Sequence, residues 1–161
     1  MANSPIILLA EDREDDVIIV RKALLQAFID NPLQVVRDGV EALSYLEGAG
    51  KFGDRSEFPL PGLLLIDLKM PRKDGFEVLQ WVRSQPHFCK LPVIILTSSE
   101  ELRDMKKAYQ LGANSFLVKP LNFKEARGIG KFFQATSPVM DCLPSQISTL
   151  KPQQDSPPNL T

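Results

Sequence analysis

The sequence predicts an α/β fold in which a doubly wound parallel sheet carries helices on both faces. Short aliphatic runs alternate with longer segments whose apolar residues recur every three or four positions. Strands and helices that alternate in this way build parallel sheets with right-handed crossovers. The aliphatic runs are continuous, as is typical of strands buried on both faces. The chain has 161 residues, a length that suits one domain with a sizeable core.

Five short apolar runs are predicted to be the strands of this sheet. They are rich in Leu, Ile and Val, and polar residues, Gly or Pro stand at their ends. In chain order, the predicted strands are residues 6–12, 33–36, 63–67, 93–98 and 115–120.

Helical segments are predicted between and after these strands, because apolar residues at spacings of three and four give a helix one face for the core. The first helix is marked by Val17, Val20, Leu24 and Phe28, and a later one by Leu102, Met105, Ala108 and Leu111. The acidic run EDREDD suits the positive end of the first helix dipole, and Gly112 suits the end of the later helix. The last helix, NFKEARGIGKFFQA, contains Gly128 and Gly130, each costing about 1 kcal/mol relative to alanine.

Two segments differ from the alternating pattern. Residues 48–62 are rich in Gly and Pro, and we predict a mobile surface loop there. Residues 136–161 are rich in Pro, Ser and Thr, a composition that does not bury a core, so we predict a disordered tail too short for an output domain. The expected organisation is a folded domain over residues 1–135 followed by this tail.

The charge of the chain argues against some classes of partner. There are 19 basic and 20 acidic residues, so the chain lacks the positive field that attracts nucleic acid or a membrane surface. The first apolar run, residues 6–10, has no basic segment before it and is too short for a signal sequence or a membrane span. We expect a cytoplasmic protein that has neither nucleic acid nor a membrane as a partner.

Polar side chains stand where the strongest predicted strands end. Glu11 and Asp12 end the first strand, Asp67 ends the third, Thr97 lies near the end of the fourth, and Lys119 near the end of the fifth. In a doubly wound sheet, ligands bind outside the carboxyl ends of the strands. We therefore expect three carboxylates, a hydroxyl and an ammonium group at one edge of the sheet.

This set of side chains suits phosphoryl transfer to a carboxylate. Three carboxylates close together repel one another unless a cation neutralises them, and oxygen ligands with room for water suit Mg²⁺ or Mn²⁺. Beside such an ion Asp67 stays ionised and can act as a nucleophile. Thr97 and Lys119 then offer a hydrogen-bond donor and a positive charge to the oxygens of the transferring group.

Four segments together resemble the receiver domain of two-component response regulators. They are AED after the first strand, LLIDLKMPRKDG, ILTSS and FLVKP, and the steps from Asp67 to Thr97 and from Thr97 to Lys119 are 30 and 22 positions. The resemblance covers about residues 5–134. It implies a flavodoxin-like fold whose five parallel strands follow the order 2-1-3-4-5.

The resemblance also implies roles for the residues that carry it. Asp67 would be phosphorylated by the phosphohistidine of a sensor histidine kinase or a phosphotransfer protein. Asp12 would bind Mg²⁺ directly, Glu11 would act mainly through water, and the backbone carbonyl of Lys69 would complete the protein ligands. The chain would be a phosphoacceptor that catalyses only its own phosphorylation and dephosphorylation.

For signalling, the resemblance implies a switch and an output surface. Thr97 and Phe116 would form the switch pair, and Lys119 would precede a cis bond to Pro120. A homodimer or a partner would use the face of the fourth helix, fifth strand and last helix, around Lys106, Tyr109, Phe116 and Phe123. The long segment before the third strand is similar to that of the single-domain regulators paired with cyanobacterial and bacterial phytochromes.

The residues alone leave two other classes of function open. An aspartyl-phosphate hydrolase of the haloacid dehalogenase type also has an Asp nucleophile after a strand, but it needs an acid where this chain has Lys69. A receiver-like module that never turns over phosphate is disfavoured, because no member of the acidic, Thr and Lys set is missing. Asp15 and Asp16 are interpreted as partners of the helix dipole on a solvated face.

Overall fold

A five-stranded parallel sheet forms the centre of the computed structural model, which describes residues 4–134. The strands are β1 (Ile6–Ala10), β2 (Leu33–Val36), β3 (Pro61–Ile66), β4 (Val93–Thr97) and β5 (Ser115–Val118). Their order in the sheet is β2-β1-β3-β4-β5, and neighbouring strands are parallel. The predicted flavodoxin-like fold and strand order are confirmed.

Helices cover both faces of the sheet. The helices are α1 (Glu14–Gln26), α2 (Gly39–Glu47), α3 (Gly75–Ser84), α4 (Leu102–Gln110) and α5 (Phe123–Gln134). The helices α1 and α5 pack on one face, and α2, α3 and α4 pack on the other. Successive residues of a central strand contact opposite helical layers: Leu8 packs in the layer of α2 to α4, and Leu9 in that of α1 and α5. This explains why β1 is apolar at every position and β4 at every position before Thr97.

The start of α3 is packed directly against the end of β3. A Cβ atom at Gly75 would lie 2.5 Å from the carbonyl oxygen of Asp67, so only glycine allows this close approach. Asp74 caps the helix, because its side chain accepts a hydrogen bond from the Glu77 N–H, and the Glu77 side chain accepts one from the Asp74 N–H, both at 2.9 Å. Residues 68–74 are thereby fixed beside Asp67.

The first helix ends earlier than its apolar pattern predicts. Val17, Val20 and Leu24 are buried as expected, but α1 ends at Gln26, and Phe28 is 91% exposed with a φ of 61°. The chain turns there and buries the next apolar residue, Ile29, instead. The assignment of Phe28 to the core face of this helix is wrong.

The pattern of the fourth helix is only partly confirmed. Ala108 is fully buried and Met105 packs against the core, but Leu102 is the first residue of α4 and is 61% exposed. Leu111 is the capping residue, and Gly112 follows it with a φ of 105°, a conformation that favours glycine.

The segment before β3, which the sequence predicts to be a mobile loop, is packed against the domain. Phe52, which ends a short 3₁₀ helix at Gly50–Phe52, is buried. Its ring centroid lies 5.1 Å from those of Tyr45 and Phe58, and the last two centroids are 5.9 Å apart. We call Tyr45, Phe52 and Phe58 the aromatic cluster. The hydroxyl of Tyr45 also donates to the Pro59 carbonyl at 2.8 Å.

Hydrogen bonds of Arg55 connect the same segment to the end of α2. Its guanidinium donates hydrogen bonds to the carbonyl oxygens of Tyr45 at 2.9 Å, Leu46 at 2.8 Å and Phe58 at 3.0 Å. A positive charge suits the carbonyl end of a helix. Composition did not reveal these contacts, and the mobility of the segment stays a prediction.

The predicted tail, residues 136–161, lies outside the described residues, as do residues 1–3. The division at residue 135 therefore stays a prediction. Within residues 4–134, no helix is long and apolar enough to cross a bilayer.

Candidate functional site

The carboxyl ends of four strands bring the predicted polar side chains to one edge of the sheet. Backbone hydrogen bonds continue past the strands: the Glu11 N–H donates to the Val36 carbonyl at 2.9 Å, and the Asp67 N–H donates to the Ala10 carbonyl at 3.1 Å. The Lys119 N–H donates to the carbonyl of Thr97 at 2.8 Å. The backbone thus fixes the residues that carry the site.

Three carboxylates converge at this edge. Each of Glu11, Asp12 and Asp67 offers an oxygen, and these oxygens lie within 4.8 Å of one another. Glu11 is 1% exposed and Asp67 is 5% exposed, whereas Asp12 faces the solvent. Carboxylate oxygens that are open to water on one side fit a hard divalent cation such as Mg²⁺ or Mn²⁺.

Lys119 provides the positive charge of the site. Its side chain is 12% exposed, and Nζ lies 2.7 Å from Oε1 of Glu11, 2.7 Å from Oδ2 of Asp16 and 3.1 Å from Oδ2 of Asp67. An ammonium group has three hydrogens to donate, so these carboxylates can take all of them. The peptide bond from Lys119 to Pro120 is cis, as the resemblance implies.

The pKa values of Glu11 and Lys119 are both raised, for different physical reasons. Burial raises the pKa of Glu11 above its ordinary value, and the charge of Asp67 adds to this effect, while the hydrogen bond from Lys119 opposes it. Burial disfavours the ammonium of Lys119, but the hydrogen bonds to Asp16 and Glu11 and the charge of Asp67 outweigh it and raise the pKa of Lys119. Lys119 is therefore charged at neutral pH.

The remaining predicted residues lie around this centre. Thr97, the last residue of β4, is fully buried, and its Oγ1 accepts a hydrogen bond from the Ser99 N–H at 3.3 Å. The Lys69 N–H donates to Oδ1 of Asp67 at 3.3 Å, so the Lys69 backbone is next to the carboxylate, and the residue is exposed.

Phe116 is placed differently from the expectation for an output surface. It lies in β5 opposite Ile95 of β4, it is 8% exposed, and it packs within the core. Lys106, Tyr109 and Phe123 are exposed, so Phe116 is the one of the four predicted surface residues that the structure buries. Any effect of Phe116 on a partner must therefore act through the packing beneath that surface.

Asp16 is the residue that sequence reasoning missed. The interpretation of Asp16 as a dipole partner on a solvated face is wrong, because its carboxylate contacts Nζ of Lys119. Asp15, its neighbour, is exposed as expected. The first turn of α1 contains Glu14, Asp15 and Asp16, and no sequence signal distinguishes Asp16 from its two acidic neighbours.

Comparison with known proteins agrees with this geometry. The family model described as response regulator receiver domain matches residues 7–129. The response regulator Rcp1 of Synechocystis sp. is 36% identical over 140 residues, which cover 84% of this chain and 93% of Rcp1. The similarity therefore extends over nearly the whole length of Rcp1.

Two solved structures are similar in fold and in sequence. The Mn²⁺-bound form of Rcp1 has a TM-score of 0.71 and 35% identity, with 84% of this chain and 99% of that chain covered. The phosphorylated cyanobacterial phytochrome response regulator RcpA has a TM-score of 0.73 and 32% identity, with 86% and 99% covered. Receiver domains bind Mg²⁺ in an acidic pocket, and the predicted cofactor is confirmed by the family and by the acidic group found here.

These similarities decide between the open alternatives. One family model matches residues 7–129, which are most of the described part of the chain. The fold matches that of solved response regulators, and the acidic group and lysine occupy the expected edge of the sheet. A dehalogenase-type hydrolase would need an acid in place of Lys69. This chain belongs to the response regulator receiver domain family and is a component of two-component signalling.

Proposed function

We propose that Asp67 accepts a phosphoryl group from the phosphohistidine of a sensor histidine kinase or a phosphotransfer protein. One observation carries this proposal: the Asp67 carboxylate is buried at the end of β3, shares an acidic group with Glu11 and Asp12, and lies 3.1 Å from Nζ of Lys119. A buried carboxylate needs paired charge to stay ionised. Here the Lys69 N–H pairs with Oδ1 and the Lys119 ammonium with Oδ2 of Asp67.

The transfer itself would be an in-line displacement at phosphorus. A carboxylate oxygen of Asp67 attacks phosphorus while the bond from phosphorus to the histidine nitrogen breaks. The electron pair of that bond stays on the imidazole, which takes up a proton, and Asp67 becomes an acyl phosphate. Lys119 and Thr97 bind the phosphoryl oxygens as charge shifts, which is the electrostatic stabilisation that this reaction uses.

The hydroxyl of Thr97 suits this role. It accepts a hydrogen bond from the Ser99 N–H, and a hydroxyl that accepts one bond still has its hydrogen to donate. A phosphoryl oxygen on Asp67 would be the acceptor. Because Thr97 is fully buried, no bulk water competes for that hydrogen.

Asp12, Asp67 and the backbone carbonyl of Lys69 are proposed as direct ligands of Mg²⁺ or Mn²⁺, with Glu11 acting through water. The bound ion would neutralise charge on the carboxylates and the phosphoryl oxygens. Glu11 suits an indirect role because both its oxygens have partners: Oε1 is 2.7 Å from Nζ of Lys119, and Oε2 accepts from the Arg13 N–H at 3.1 Å.

The same residues are proposed to support loss of the phosphoryl group. Water attacks phosphorus, the bond from phosphorus to the Asp67 oxygen breaks, and inorganic phosphate and the free carboxylate result. The chain would then catalyse only its own phosphorylation and dephosphorylation.

Thr97 and Phe116 are proposed as the pair that reports phosphorylation. Movement of Thr97 towards the phosphoryl group would change the space beside Phe116 in the neighbouring strand. Because Phe116 is already buried, phosphorylation would not move its ring from the solvent into the core. The switch would act by repacking the ring within the core.

The output is proposed to be a contact through the surface of α4, β5 and α5. Lys106, Tyr109 and Phe123 are exposed there, and repacking of Phe116 beneath them would alter their positions. A second copy of the chain is the proposed partner.

The proposed phosphodonor is a histidine kinase of the phytochrome type, since RcpA is a cyanobacterial phytochrome response regulator. A cytoplasmic location is also proposed. The nearly balanced charge of the chain supports a role without nucleic acid.

Chemical phosphorylation tests the proposed function without a kinase. The chain is incubated with Mg²⁺ and acetyl phosphate, and intact mass is measured with and without hydroxylamine. We expect one added phosphoryl group that hydroxylamine removes and that EDTA prevents from forming. No adduct, or equal labelling of Asp67→Asn, would contradict the proposal.

A further inference from the structure

Asp16 competes for the ammonium group that the reaction needs. Nζ of Lys119 lies 2.7 Å from Oδ2 of Asp16 and 3.1 Å from Oδ2 of Asp67. With Glu11 also at 2.7 Å, all three ammonium hydrogens have acceptors. A phosphoryl oxygen on Asp67 can bind Lys119 only by replacing or weakening one of these contacts.

Asp16 is separate from the acidic group that suits a metal ion. That group consists of Glu11, Asp12 and Asp67 among the residues that the structure describes. Asp16 reaches Lys119 from the first turn of α1, and its side chain is 20% exposed. The same Oδ2 atom lies 3.5 Å from Nε of Arg13, which is 65% exposed. An exposed pair of this kind contributes little, so Lys119 is the main partner of Asp16.

We propose that Asp16 is a positioning residue that holds the ammonium of Lys119 towards α1 and thereby limits how tightly Lys119 binds the phosphoryl group. Two physical effects act in the same direction. The Asp16 carboxylate occupies a donor that the phosphoryl oxygens would otherwise use, and its negative charge repels the incoming anion. The inference rests on the proposed roles of Asp67 and Lys119.

The test is the affinity for beryllofluoride, a phosphoryl mimic, in the presence of Mg²⁺. Amide NMR spectra of the full chain give the concentration at half saturation. We expect Asp16→Asn to lower that concentration by about threefold to tenfold, because one partly exposed carboxylate no longer competes for Lys119. Asp16→Glu keeps the carboxylate and should stay close to the parent.

Asp15→Asn is the matched control, because it makes the same change of charge at the exposed neighbouring position. Its half saturation should match that of the parent. The Nζ resonance of Lys119 gives a second readout: it should shift in Asp16→Asn and stay in place in Asp15→Asn. A general loss of fold would disturb all resonances and weaken binding instead.

Three outcomes would overturn the inference. Asp16→Asn could bind beryllofluoride as the parent does, it could bind more weakly, or Asp15→Asn could give the same increase. A different result would overturn the proposed function itself: a parent chain that does not bind beryllofluoride, or an Asp67→Asn variant that binds it equally well.

Discussion

The side chain of Lys119 joins carboxylates from three separate parts of the chain. Glu11 follows β1, Asp16 lies in α1, and Asp67 follows β3. Buried charges are stable only when they are paired, so the pairing explains how two nearly buried acids remain in the domain. Asp12 is the exposed member of the acidic group.

Asp12 should contribute more to the affinity for Mg²⁺ than Glu11 does. Loss of an outer partner of a metal ligand already weakens binding by about tenfold, so Asp12→Ala is expected to weaken Mg²⁺ binding by more than that. Glu11→Ala should have a smaller effect, because Glu11 is held by Lys119. Isothermal titration with Mg²⁺ measures both, with Asp15→Ala as the charge control. Equal affinities in Asp12→Ala and the parent would contradict the assignment.

Tyr45 gives a pH-dependent prediction. Burial raises its pKa from 10.0 to about 12, so the folded state favours the neutral phenol. This contribution to stability is fully present below pH 10 and is lost as the pH rises towards 12. Tyr45→Phe should remove that alkaline loss, while costing about 1 kcal/mol at neutral pH because the Pro59 carbonyl loses its donor.

Urea denaturation at pH 8 and pH 11 measures this difference. Tyr109→Phe, at an exposed position, is the control and should keep the alkaline loss of the parent. The same pH dependence in Tyr45→Phe as in the parent would count against a role for the buried phenol.

Among the elements, α5 is a helix whose stability is lowered by glycine residues. It is helical over Phe123–Gln134 although it contains Gly128 and Gly130. A Cβ atom at Gly128 would have nothing within 4 Å. Gly128→Ala should therefore raise the free energy of unfolding by about 0.5 to 1 kcal/mol, measured by urea denaturation.

The contrasting variant is Gly75→Ala at the start of α3. Its Cβ would lie 2.5 Å from the Asp67 carbonyl oxygen, so this change should lower stability and disturb the site. If Gly128→Ala were destabilising too, the helix would have to pack more tightly than the structure indicates.

For the whole molecule, the sequence predicts the sheet well because the three central strands, β1, β3 and β4, are buried on both faces. Such strands are continuous apolar runs whatever their partners are, and β1 and β4 begin where predicted. The edge strands β2 and β5 also begin where predicted. Helix ends were less predictable, because the turn at Phe28 depends on which apolar residue the core accepts. The packing of the segment before β3 was not predictable, because Arg55 and the aromatic cluster act through contacts that composition does not encode.

The site was predictable to the extent that strand ends define it. Glu11, Asp67 and Lys119 lie at such ends, and the structure brings them together. Asp16 lies inside a helix with an acidic first turn, where three neighbouring acids look alike in sequence. Only the rotation of α1 relative to β5 distinguishes it.

The proposed signalling output, a phosphorylation-strengthened homodimer, can be tested by sedimentation. Beryllofluoride with Mg²⁺ should increase the sedimentation coefficient of the parent if phosphorylation strengthens a homodimer. Phe116→Ala should still bind beryllofluoride but associate less, because the repacking beneath the surface is lost. No change in sedimentation for the parent, or a response of Phe116→Ala equal to that of the parent, would contradict this route.

The central claim is that Asp67 alone receives the phosphoryl group. After labelling with acetyl phosphate and Mg²⁺, borohydride reduction converts an aspartyl phosphate to homoserine, and peptide mass spectrometry locates the modified residue. The account predicts homoserine at position 67, and none at Asp12 or Asp16. Homoserine at either of those positions, or its formation in Asp67→Asn at the level of the parent, would contradict it.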